Sequence, residues 1–74
     1  MVNRFDAGTY EIHVLGNVPS SWEDAFRGMD ISKQQVNGDV VTILRGEVDD
    51  QASLQGMLQN LYSLGLDLLF LERQ

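Results

Sequence analysis

Val36-Asn37-Gly38-Asp39 separates two runs of strand-forming residues, 31–36 and 39–46. Both central positions of a two-residue type I′ hairpin turn need positive φ, which Asn-Gly adopts at low cost. The four residues therefore predict an antiparallel hairpin in the middle of the chain. In its first arm Lys33, Gln34 and Gln35 suit a sheet edge, where charged and amide side chains discourage pairing with another chain. In its second arm Val41, Ile43 and Arg45 fall on one face, and Val40, Thr42 and Leu44 on the other.

The same order of signals flanks the hairpin on both sides. Upstream, residues 9–15 alternate, with Tyr10, Ile12 and Val14 on one face and Glu11, His13 and Leu15 on the other, the period of a half-buried strand. Pro19-Ser20-Ser21-Trp22-Glu23 then reads as a helix start, because Ser20 and Glu23 have capping-box spacing. Trp22 and Phe26, one turn apart, form its buried side. Gly28 suits the left-handed position that ends a helix.

Downstream, Glu47-Val48-Asp49-Asp50 opens a longer helix, with Asp49 or Asp50 as its cap. Leu54, Met57, Leu58, Leu61 and Leu64 follow the three-and-four spacing of one buried stripe, and Gly65 ends it. Gly56 lies inside this helix and predicts a close approach to the sheet. Residues 66–72 are a last strand, with Leu66, Leu68 and Phe70 on one face and Leu69 and Leu71 on the other.

Strand, helix, strand, hairpin, strand, helix, strand predicts an α+β domain of the ferredoxin-like βαββαβ kind. Both helices would cover one face of a four-stranded antiparallel sheet whose first and third strands are central. Residues 1–8 are a loose lead-in and 9–74 the single domain. The expected helix-covered layer holds Tyr10, Ile12, Val14, Trp22, Phe26, Val41, Ile43, Leu54, Met57, Leu58, Leu61, Leu68 and Phe70. The other face is expected to carry His13, Leu15, Thr42, Leu44, Leu69 and Leu71.

Composition narrows the functions. With 74 residues the chain buries only roughly 60–65% of its unfolded surface. It has no cysteine, which removes disulfides, thiolate metal sites and cysteine nucleophiles and fits a cytoplasmic protein. Its formal charge is −6, and its five basic residues, Arg4, Arg27, Lys33, Arg45 and Arg73, are scattered. Nucleic-acid binding needs a clustered positive patch, and an anionic membrane would repel this chain. No apolar run approaches the ~20 residues of a membrane helix, and the first residues are not a signal peptide.

No catalytic or metal motif is present, and no cofactor is expected. His13 is the only histidine and reads as a sheet-face residue without a catalytic task. Asp49 and Asp50 lack the calcium-loop spacing. The feature with functional content is the open sheet face, where Leu15, Leu44, Leu69 and Leu71, with His13, make an apolar interface for a second copy or another protein. The chain is therefore expected to be a non-enzymatic interaction or self-association module. The alternative is a small-ligand sensor with a pocket at the 46–50 loop or between protomers.

Four short patterns carry a resemblance: Ser21-Trp22 with Phe26; Asn37-Gly38; Gly46-Glu47-Val48-Asp49-Asp50-Gln51-Ala52-Ser53-Leu54; and Leu64-Gly65-Leu66. In these the chain resembles a group of short uncharacterised bacterial proteins, to which no activity is attached. Where that group often has a histidine-glycine pair after the helix-start leucine, this chain has Gln55-Gly56, so no role of such a histidine carries over. In element order it is also similar to ACT-type regulatory modules, which pair and bind amino acids at their interface. That likeness implies a ligand-sensing role by fold alone.

Overall fold

A computed structural model of the chain describes residues 8–26 and 28–74, with the Glu23 side chain outside the description. The lead-in before Gly8, Arg4, Arg27 and the Glu23 half of the expected capping box therefore lie outside the described residues. The elements are β1 (Gly8–Leu15), a 3-10 helix (Ser20–Phe26), β2 (Met29–Val36), β3 (Asp39–Val48), α1 (Gln51–Ser63) and β4 (Asp67–Arg73). The four strands form one antiparallel sheet in the order β2-β3-β1-β4, so the first and third strands are central.

The hairpin turn forms as its residues dictate. Asn37 has φ 52° and Gly38 φ 86°, and Val36 pairs with Asp39. Both arms exceed expectation. β2 starts at Met29, and β3 continues through Gly46 to Val48.

The first crossover corrects the expected two-helix layer. Residues 20–26 form a 3-10 helix, with the Trp22 backbone N–H donating to the Pro19 carbonyl at 2.9 Å. Seven residues are too few to repay the nucleation of a free α-helix, so packing sets the local geometry. Phe26 is fully buried and Trp22 packs half-buried on the core. The domain is thus an α+β fold with one α-helix on an open four-stranded sheet.

The phase of β3 is a second correction. Ile12 pairs with Leu44 and Val14 with Thr42, and directly paired residues share a face. Leu44 is completely buried with Tyr10, Ile12, Val14, Leu54 and Leu61, while Val41 and Ile43 lie on the opposite side. Leu44 is therefore core, not open face. Thr42 is also fully enclosed and donates its hydroxyl to the Gly16 carbonyl at 2.7 Å, which satisfies its only donor.

β4 supplies the third correction. Leu71 pairs with Ile12 and Leu68 with Val14, so both face the helix, although they are three residues apart. The register shifts between His13 and Val14 and leaves Leu69 without a partner, the signature of a β-bulge. Leu71 packs on the core. Phe70, expected inside, pairs with His13 on the open face.

Three further residues complete the core. Val18 in the first loop is fully buried, and Val48 and Leu66 nearly so.

α1 presents the expected stripe: Leu54 and Leu61 buried, Met57, Leu58 and Leu64 packed against them. Asp50 is its N-cap and accepts from the Ser53 backbone N–H at 2.8 Å. That hydrogen bond is the main reason the Asp50 carboxyl titrates below the ordinary aspartate value. A depressed folded-state pKa means that the cap stabilises above the unfolded value and loses its effect as pH falls through the folded one. Asp50→Ala should accordingly lower Tm at neutral pH. The gap from wild type should close in acid strong enough to protonate Asp50 in the fold, as thermal denaturation across pH would record.

Gly56 does not serve a close approach to the sheet. It is exposed, and a Cβ there would meet nothing within 4 Å. Gly56→Ala should therefore stabilise the domain by about 0.5–1 kcal/mol. For a chain this size that raises Tm by roughly 2–8 °C, readable by calorimetry.

Candidate functional site: the open sheet face

Strand register arranges the face opposite α1 in rows. One row runs Asp30, Arg45, Glu11, Glu72 across the four strands, and the next runs Ser32, Ile43, His13, Phe70. A third runs Gln34, Val41, Leu15, Asp67. Ile43, Phe70, Val41 and Leu15 thus form an apolar group around His13, with carboxylates in the first row and at Asp67 in the third.

Val41, buried, and Ile43, half-buried, form the floor of the centre. Leu15 at 36%, Phe70 at 38% and Leu69 at 54% exposure stand above it. The bulge places Leu69 and Phe70 between the helix-side residues Leu68, itself 40% exposed, and Leu71, so β4 offers two adjacent apolar side chains on the open face.

His13 sits at the middle of the face. Its Nε2 donates to Glu11 Oε2 at 2.7 Å, and Arg45 Nε approaches Glu11 Oε1 at 3.9 Å. Its ring lies 4.7 Å from that of Phe70, tilted by 41°. Glu11, two residues along the same strand face, thus holds the imidazole orientation, and Phe70 covers one side of it. A partner docking here would meet an anchored polar group inside an apolar surround.

Of the residues expected at this site, Leu15, Leu69 and His13 are brought together, whereas Leu44 and Leu71 belong to the core. Val41, Ile43 and Phe70 take their places. Arg45 and Glu47 carried the signal for β3, since two charged residues at period two mark a strand's solvent face.

The inner side of Gly46 is filled by the Gly28 carbonyl and by Met29, and residues 46–48 continue β3. A shallow apolar depression lies at the other end of α1, lined by Val14, Leu58, Leu61, Tyr62, Leu66 and Leu68. It has room for about 10 Å³, the scale of one water. Among the described residues no three His, Asp or Glu side chains converge as a metal site, and no helix is long and apolar enough to cross a membrane.

These features define a small α+β domain with a helix on one sheet face and an apolar, acid-bordered surface on the other. The family model described as a domain of unknown function (DUF8691) matches residues 9–72, and the chain belongs to that family. No curated protein and no solved structure matches it.

Proposed function

We propose that this chain is a cytoplasmic, non-enzymatic interaction or self-association module that works through its open sheet face. The observation that carries the proposal is the contiguous exposure of Leu15, Leu69 and Phe70 across β1 and β4. Neighbouring large apolar side chains on a domain this small mark a surface that gains by being covered. We further read the fold as ferredoxin-like with its first helix reduced to a 3-10 turn, because the strand order β2-β3-β1-β4 supports that reading. The Ser21-Trp22, Asn37-Gly38 and Leu64-Gly65-Leu66 patterns would then mark, in turn, the first crossover, the hairpin and the exit of α1.

The test is solution mass by light scattering across a concentration series, wild type beside Leu69→Asp, with partner binding measured in parallel. Leu69 is exposed, so the substitution leaves the fold intact by circular dichroism. It should return a self-associated species to monomer mass or abolish partner capture. Unchanged mass together with unchanged capture would sink the proposal.

A further inference from the structure

We infer that the occupant of the open face is a segment apolar along one side with basic residues at both ends, an amphipathic helix flanked by lysine or arginine, rather than a second copy of this chain. The inference rests on the docking reading above and specifies its partner.

The charge on this face is lopsided. Register and alternation place Glu11, Asp30, Asp39, Glu47, Asp67 and Glu72 on it, against Arg45 as the basic residue among those described. Arg45 already approaches Glu11. In an aligned packing, a second copy would lay its Glu11 and Glu72 row over the same row or over Asp39 and Asp67. Arg45 can then meet Glu11 or Asp39 of the other copy, but with six carboxylates to one arginine on each face the excess acidic charge of the two copies is brought together, at a cost wherever the closing apolar centre removes water between them. A partner with basic ends gains at those same places.

The spacing fits a helix. From the Glu11 row to the Asp67 row is four residues of β1, about 13 Å at ~3.3 Å per residue. From Arg45 to Asp39 along β3 is six residues, about 20 Å. A helix rising 1.5 Å per residue crosses that apolar span in roughly 9–13 residues.

The sheet edges point the same way. On the β2 edge Lys33 is on the helix side, and its ammonium donates to the Val18 carbonyl at 3.4 Å. An inward-pointing charge on an edge strand discourages strand addition. On the β4 edge the bulge at Leu69 breaks the regular ladder that an added strand would need. The apolar face, not a strand edge, is left as the docking route.

The experiment titrates the isotope-labelled full chain with two model helices of about 18 residues. One is built of leucine and lysine, the other of leucine and glutamate. The lysine helix should bind saturably, shift the amides of Leu15, Leu69 and Phe70 most, and lose about tenfold in affinity between low and high salt. The glutamate helix should not bind. Leu69→Ala with Phe70→Ala should abolish the interaction.

Equal binding of both helices would overturn the inference. So would no saturation by the lysine helix up to about 1 mM, or binding that the double substitution leaves untouched. A wild-type dimer at low salt that Leu69→Asp breaks would assign the face to a second copy, overturning this inference while the docking proposal stands. If neither mass, capture nor titration responds to changes at Leu69 and Phe70, the docking proposal itself fails.

Discussion

Leu44→Thr is expected to remove a large share of the domain's stability and lower its urea midpoint sharply, while Ile43→Thr next to it leaves the fold intact. Leu44 is fully enclosed, and it pairs with Ile12 on one side and Ile31 on the other. Truncating a leucine at such a site costs about 2–5 kcal/mol in lost transfer and cavity energy. Threonine also brings a hydroxyl that must find a buried acceptor. At about 0.05–0.15 kcal/mol per residue the whole domain holds roughly 4–11 kcal/mol, so the loss takes a large share of it. Ile43 faces the other way in the same strand, where threonine keeps the β-branch and the effect stays within about 1 kcal/mol. Urea denaturation of the two variants decides the phase of β3, and an Ile43 variant weaker than the Leu44 variant would reverse it.

Gly46→Ala is the second large effect. Gly46 lies within β3 on the helix-covered side, opposite Tyr10 and Met29. A Cβ there would stand 2.5 Å from the Gly28 carbonyl oxygen and 3.0 Å from the Met29 Cα. Both are backbone atoms at the exit of the 3-10 helix, so relief requires the β2 end to move off the sheet. Overpacking of this kind costs about 1–3 kcal/mol. The expected signature is a lower urea midpoint, with faster amide exchange concentrated at Met29 to Ile31. Gly56→Ala is the internal control, because the same added methyl there meets open space. Equal effects at the two glycines would contradict the packing.

The sequence revealed the element order, the central position of β1 and β3, the Asn37-Gly38 turn and the α1 stripe, because each rests on a local rule. The phase of β3 did not follow, since Val40, Val41, Ile43 and Leu44 make either face plausible over residues 39–46. Extending the strand to Val48 would have settled it. Arg45 and Glu47 then share the solvent face, and Leu44 and Val48 the core face. In β4 the alternation of Leu66, Leu68 and Phe70 was misleading for another reason. A bulge inserts one residue, and strict period two cannot register it.

The first crossover looked helical because Ser20 and Glu23 have cap spacing. Capping chemistry marks where a turn of helix starts but does not decide whether it winds as α or 3-10. At the candidate site Leu15, Leu69 and His13 were legible. Phe70, Val41 and Ile43 were hidden by those two phase errors, and with them the acidic border on which the proposed partner chemistry rests.

The measurement closest to the central claim is attenuation of methyl and aromatic NMR signals by a soluble paramagnetic agent, recorded on the dilute chain and again in its complex. The account predicts that Leu44, Ile12 and Leu54 are shielded throughout. Leu15, Leu69 and Phe70 should be strongly attenuated in the dilute chain and protected in the complex. Attenuation at Leu44, or continued exposure of Leu15, Leu69 and Phe70 in the complex, would contradict it.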